Sequence, residues 1–303
     1  MKTFMLDGFI CGLVADAKTR ELMTRKGCKR GEEYYIKIRG KSSSLLLSLR
    51  KGRYDDLYYL NLSGNPTTFL LPNNLRGYIS IDRLILKCFN RALAYAGLRS
   101  VKLEKINVYS IELACYTTKV ADVDVLLDQL KHVYRTAYSY EGTKHVGLCN
   151  SLRLKLIDHP THSSVCLRIM SQGLKEEEAM LMAYNKQEES GHDDIELSSR
   201  IRLDLNLSYG WFRRRQAGGR KLKTLADLKA YASMGWAAFI RAQFEWAANR
   251  TRLFELANSS DLAIKWVVKT LDTTDEQRSK YMVDGRAFAC VSEIEEFQLE
   301  LEI

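Results

Sequence analysis

Tyr184 and Lys186 stand two residues apart at the end of an apolar run, AMLMAYNKQEE. Arg202 and Asp204 repeat that spacing in the alternating segment SRIRLDLNLSY. On an extended chain, residues i and i+2 share a face, about 7 Å apart at the backbone. The first pair sets a phenol beside an ammonium, and the second sets a carboxylate beside a guanidinium. A phenol is a poor nucleophile at its ordinary pKa near 10, and a nearby cation or metal favours the phenolate that attacks. Spacing alone favours a plainer arrangement, an edge-strand tyrosine on the core with a solvated lysine.

A hard divalent cation such as Mg²⁺ or Mn²⁺ needs oxygen ligands, or histidines. Asp204 is the best single candidate, on the polar face of a strand one hairpin from Tyr184, although a salt bridge to Arg202 or Lys186 would occupy it equally well. Glu112 is a weaker candidate. His159 with His162, and the GHDD turn at 191–194, read as surface loops, and no zinc spacing is present. For contact with DNA the economical choice is the segment WFRRRQAGGRKLK. Its Arg213, Arg214, Arg215, Arg220, Lys221 and Lys223 offer charge, its glycines permit close approach to phosphates, and Trp211 and Phe212 could stack on an unpaired base. A basic linker with two core aromatics is the alternative.

The wider composition fits such partners. The chain has 303 residues with a net charge of +9, 46% hydrophobic residues and 3 prolines, which suits a globular protein with a substantial core. A basic excess speaks to partners rather than to fold, and nucleic acid or an anionic membrane would both answer it. The excess is uneven: twelve Lys/Arg against three acids from Lys18 to Arg53, and six against none from Arg213 to Lys223. Seven cysteines lie at irregular spacing without a C-x-x-C pair, as expected of reduced thiols in a cytosol. Asp7 interrupts the apolar N-terminus, which argues against a signal peptide, and no apolar run approaches a membrane span. A cytoplasmic protein without membrane attachment is expected.

The elements that must position these residues are mostly strands. Alternation predicts strands at 34–40, 44–50, 57–63, 106–116, 151–157, 165–170, 179–186 and 199–209. Residues 66–74 read as a loop, and helices are expected from about Ser80 to Gly97 and over 121–134. Thr224 with Asp227 resembles a capping box opening a helical stretch, and FQLELEI at the C-terminus reads as a strand. The expected fold is α+β: a largely antiparallel sheet flanked by helices over residues 1–210, then a mainly helical segment over 211–303 ending in a strand.

Four ordered pieces resemble the filamentous-phage replication initiators of the gene II/X family. The stretch from Pro66 to Gly77 matches the spacing of the family's S-P-A-K-x-L-Q-G-H-N-x-x-G loop, keeping the proline, leucine, Asn74 and Gly77. INVYSIEL sits where the family has an R-x-D strand. Ala183-Tyr184-Asn185-Lys186-Gln187-Glu188-Glu189 matches A-Y-x-K-x-x-E in full, and Arg202-Leu203-Asp204 fits R-[FL]-[ED]. The resemblance spans about residues 57–208. It departs at the family's histidine, which is Asn73 here, and at the R-x-D strand, whose arginine and aspartate align with Val108 and Ser110. Glu112 lies on the same strand face as Ser110. The resemblance implies a relaxase-like (HUH) fold and a rolling-circle initiator that nicks one DNA strand at an origin through a 5′-phosphotyrosine, with Tyr184 as nucleophile, Lys186 beside it and Mg²⁺ or Mn²⁺ as cofactor. It implies origin DNA, duplex and single-stranded, as partner, with Asn74 and Arg202 among the contacts, and a host helicase and polymerase. The departures leave a second possibility, a non-catalytic nucleic-acid-binding protein on the same fold.

Overall fold

The computed structural model describes residues 4–52, 55–71, 80–116, 123–124, 127, 140–141, 144–145, 154–157, 164–170, 177–186 and 200–251. The expected helix at 121–134 falls almost wholly outside them, and the C-terminal strand lies outside them.

The chain opens with strand β1 (Phe4–Val14), buried on both faces along most of its length. This segment carried no strand expectation, since the pattern that normally betrays a strand is lost when both faces are covered. Asp16 caps helix α1 (Ala17–Lys26) by accepting from Thr19 N–H at 2.7 Å, and Arg25 and Lys26 face the negative end of the helix dipole. Strands β2 (Cys28–Arg30), β3 (Glu33–Arg39), β4 (Ser44–Lys51) and β5 (Tyr58–Gly64) follow. In β4 the alternation is read as expected: Leu45, Leu47 and Leu49 are buried, and they lie among Leu60 and Leu62 of the paired β5.

Residues 66–70 form a short helix, α2 (Pro66–Leu70), and not the start of a loop. Proline at its first position needs no N–H partner there, and the Asn65 side-chain oxygen Oδ1 accepts from Thr68 N–H at 3.0 Å. Helix α3 (Ile81–Ala96) buries Leu84, Ile85, Cys88, Phe89 and Leu93, and Gly97 at φ 81° closes it in the left-handed region.

Strand β6 (Asn107–Tyr116) is followed by the small ladder of β7 (Tyr140–Glu141) and β8 (Lys144–His145). Then come β9 (Leu154–Ile157), β10 (Ser164–Met170), β11 (Glu177–Tyr184) and β12 (Arg202–Leu207). The sheet order is β2-β3-β4-β5-β1-β6-β12-β11-β10-β9, and every pairing whose register is described is antiparallel. Helix α4 (Tyr209–Arg213), the hairpin β13 (Gln216–Ala217) with β14 (Arg220–Lys221), and helices α5 (Leu225–Tyr231) and α6 (Trp236–Arg250) complete the described chain. Thr224 and Asp227 do form a reciprocal capping box on α5. The architecture is α+β, with a large antiparallel sheet and flanking helices.

The chain forms two compact units, one of residues 5–113 with 206–236, the other of residues 1–4, 114–205 and 237–303. No described helix is long and apolar enough to cross a membrane.

Candidate active site

Strand β11 ends at Tyr184, and β12 is its neighbour in the sheet. The Tyr184 hydroxyl donates to Asp204 Oδ2 at 2.6 Å. The other carboxylate oxygen, Oδ1, accepts from Arg202 Nε at 2.8 Å. Arg202 Nη1 reaches the Tyr116 hydroxyl at 3.2 Å, with the guanidinium 5.5 Å from the centre of the Tyr116 ring. Tyr116 and Arg202 are fully buried, Asp204 is 2% exposed and Tyr184 7%. Both oxygens of one buried carboxylate are therefore engaged, one by a phenol and one by a cation. A charged acceptor makes such bonds roughly twice as strong as neutral ones.

Lys186 lies two residues beyond the strand end, is itself buried, and sets its ammonium 5.6 Å from the centre of the Tyr184 ring. A cation at that distance is attracted to the ring face.

Ligand oxygens of Asp7 and Glu112, both in the unit of residues 5–113 with 206–236, lie within 4.8 Å of one another. Asp7 was passed over in the sequence as an interruption of an apolar segment. The signal was present: a carboxylate inside a buried strand must be paired or must bind a cation. Asn65 Nδ2 donates to Asp7 Oδ1 at 2.6 Å, and Gly8 leaves room for the Glu112 carboxylate, whose Oε2 would lie 2.6 Å from an added Cβ. Two carboxylates this close repel, and oxygen ligands suit a hard divalent cation such as Mg²⁺ or Mn²⁺, so Asp7 and Glu112 fit such a metal. Ser110, which aligns with the family's aspartate, donates instead to Asn206 Oδ1 at 2.7 Å.

The other sequence candidates are placed as follows. Arg202, expected among the DNA contacts, is buried against Asp204. Arg213, Arg214, Arg220, Lys221 and Lys223 are exposed. Arg215 is half-buried, its guanidinium 4.2 Å from the centre of the Trp211 ring. Trp211 and Phe212 are core residues, 0% and 1% exposed, packed edge to face at 5.0 Å, so neither offers a surface for an unpaired base. Gly218 and Gly219, at φ 55° and 77°, serve the two-residue turn of the β13–β14 hairpin, where both central positions require positive φ. Asn74, His159, His162 and the GHDD turn lie outside the described residues. Burial pushes the Cys88 thiol up to about 12 and the Cys166 thiol up to about 11, and raises Cys11 and Cys115 as well, so none of these four is poised as a nucleophile.

No family model matches the sequence, and no curated protein matches it. Among solved structures the chain is similar to a rolling circle replication initiator protein from Geobacillus stearothermophilus, at 13% identity over 68% of this chain and 74% of that one, with a TM-score of 0.30. It is also similar to the di-domain ARO/CYC BexL from the BE-7585A biosynthetic pathway, at 9% identity over 72% and 74%, with a TM-score of 0.22. Likenesses at this level carry no argument about activity, and the functional reading rests on the geometry.

Proposed function

We propose that this protein is a DNA strand-nicking and rejoining enzyme of the rolling-circle initiator kind, acting through a tyrosyl phosphodiester at Tyr184. The observation that carries the reading is the hydrogen bond from the Tyr184 hydroxyl to Asp204 Oδ2 at 2.6 Å. That distance is right for proton transfer from the phenol to the carboxylate as the oxygen attacks. In the forward step the Tyr184 oxygen bonds to the scissile phosphorus, the phosphorus–O3′ bond breaks, and the phenolic proton passes to Asp204. The departing O3′ takes up a proton from water and leaves a 3′-OH, while the 5′ phosphate stays on the enzyme. Rejoining is the same sequence reversed.

Lys186 and Arg202 divide the electrostatic work. Lys186, beside the ring, favours the phenolate. Arg202 orients Asp204 so that its free rotation does not spoil the approach to the phenol. Asp7 and Glu112 are the residues that would hold a divalent cation. When bound, the cation would offset the charge that builds on the phosphate. Arg213, Arg214, Arg215, Arg220, Lys221, Lys223 and Asn74 are proposed as contacts to the DNA backbone.

The test uses a pool of random single-stranded DNA, labelled at the 3′ end, with the protein in millimolar Mn²⁺. Label should become covalently attached to the protein through a 5′ phosphate, and Tyr184→Phe should abolish this. An adduct on Tyr184→Phe equal to that on the unmodified protein would show another nucleophile.

One observation favours a second reading. At 7% exposure the Tyr184 ring is enclosed as a core residue would be. A non-catalytic nucleic-acid-binding protein would show salt-sensitive DNA affinity in the same assay, with neither adduct nor Mn²⁺ binding.

A further inference from the structure

A second concave site lies within the unit formed by residues 5–113 and 206–236. It is a groove of about 890 Å³ between the turn end of the β4–β5 hairpin, the start of β6, helix α4 and the segment after β14. We propose that this groove holds an unpaired stretch of nucleic-acid strand, with Tyr209 stacking on a base and Arg50, Arg213, Lys221 and Lys223 taking the phosphates.

The sheet register builds one wall. Val14, Tyr59 and Arg50 are directly opposite one another on three adjacent strands, so their side chains share a face of the sheet. Tyr109 enters from β6. A Cβ on Gly12 would lie 3.0 Å from Tyr109 Cε2, so the glycine is what lets this ring lie along β1. The facing wall is fixed by backbone: Val108 N–H donates to the Lys223 carbonyl at 2.9 Å, and Leu225 N–H to the Ile106 carbonyl at 2.8 Å.

Helix α4 supplies the platform. Trp211 and Phe212 are buried, and they anchor the helix so that Tyr209 is held outward at 53% exposure. The Tyr209 ring lies 6.3 Å from Tyr109 at an interplanar angle of 59°, and the Arg213 guanidinium sits 5.7 Å from its centre. The groove is also bordered by exposed apolar side chains, Val14 at 50% and Leu57 at 48%. Half-exposed rings edged by apolar surface are costly to leave in water, and a flat apolar partner relieves that cost.

Charge selects the partner. Five Lys/Arg residues line the groove against Glu32, Glu33 and Asp55. The acids sit on the hairpin side, where Asp55 accepts from the Tyr59 hydroxyl at 2.6 Å and Lys51 is tied to Asp56 at 2.7 Å. The α4 and β14 side carries Arg213, Lys221 and Lys223, all exposed and with no acid among the lining residues there. A cationic flank along a ring platform is the pairing that single strands require, since their bases present open faces while a duplex hides them. An acidic peptide would meet the charge and leave the rings unused.

This inference deepens the reading of DNA action by assigning where an unpaired strand is held, and it involves neither Tyr184 nor a metal. The test is fluorescence anisotropy of short labelled oligothymidylate with the full chain in EDTA, where no metal-dependent cleavage intervenes. Tyr209→Ala should weaken binding roughly tenfold, the usual loss for one stacked base, while Tyr209→Phe keeps the affinity. Lys221→Ala should lower the slope of log affinity against log salt by about 0.7, the loss of one contact to a single strand. Oligouridylate separates the possible sources: equal affinity means the groove takes an unpaired strand of either sugar, and weaker binding means DNA. Wild-type affinity in Tyr209→Ala overturns the inference. So does a polyglutamate of equal charge that displaces the oligonucleotide as well as unlabelled oligothymidylate does. Should Tyr209-dependent binding hold while no Tyr184 adduct forms, the nicking reading falls and the groove stands.

Discussion

Replacing Arg202 with methionine tests whether the site is organised as the geometry says. The guanidinium and the Asp204 carboxylate meet at 2.8 Å with side chains 0% and 3% exposed, so neither is screened by water. Deleting one partner of a buried pair leaves a charge in a low-dielectric setting without its counter-ion, at a cost of about 3–5 kcal/mol. Methionine keeps much of the arginine stem's volume, which limits the part of the loss due to a cavity. Against a typical domain stability of about 5–15 kcal/mol this is severe. With a urea slope near 3 kcal/mol/M, the midpoint should fall by about 1–2 M. The decisive measurement is the cycle with Asp204→Asn. Removing the carboxylate's charge removes the reason the arginine matters, so the double variant should be more stable than the two single losses predict, by about 1 kcal/mol or more. A coupling below about 0.5 kcal/mol would refute the idea that Arg202 holds Asp204, and with it the orienting role assigned to the arginine.

Two further outcomes are expected. Gly8→Ala pushes a methyl to within 2.6 Å of Glu112 Oε2, so the carboxylate must swing aside; Mn²⁺ affinity by calorimetry should fall about tenfold or more, as for other disturbed ligand supports, and an unchanged affinity would remove Glu112 from the ligand set. Asp82 is pushed up by burial, but the Lys229 ammonium at 2.8 Å, the Arg83 N–H and the Trp236 indole N–H at 2.9 Å outweigh this and hold its carboxyl below the ordinary value of 3.8. Its contribution is therefore complete above the unfolded-state value and is lost as pH falls through the lower folded one. Asp82→Asn should cost about 1 kcal/mol at pH 7, since Lys229 is 55% exposed, and the gap to the unmodified protein should close below about pH 4 in urea titrations.

How much was legible in the sequence depended on whether a strand had a solvent face. Strands β3 and β4 announce themselves because one face is wet. Strand β1 has almost no wet face, so FMLDGFICGLV shows no alternation, and both the strand and the carboxylate within it went unread. Helix α2 was hidden for a different reason: five residues are too few to show a period, and its two real signals, the Asn65 cap and Pro66 at the first position, also announce turns. The capping box at Thr224 was legible since it is a local side-chain exchange that needs no tertiary context. Of the two readings of Trp211 and Phe212, the core one holds, because a short helix with one buried side accommodates both beside its basic neighbours.

Strand β12 carries the sharper lesson about sites. Its alternation of Ile201, Leu203, Leu205 and Leu207 with Arg202, Asp204 and Asn206 reads as an apolar face and a wet face. In the protein every residue from Ile201 to Leu205 is buried. A polar face that is nonetheless covered costs several kcal/mol unless its groups satisfy one another, and solvent has no part in doing so. Arg202, Asp204, Tyr184 and Tyr116 meet that demand with distances of 2.6–3.2 Å. Stability alone would be served as well by hydrophobic residues of similar volume. A buried phenol–carboxylate–guanidinium chain is thus an arrangement for which packing gives no reason, and the proton removal from Tyr184 that we propose would supply one.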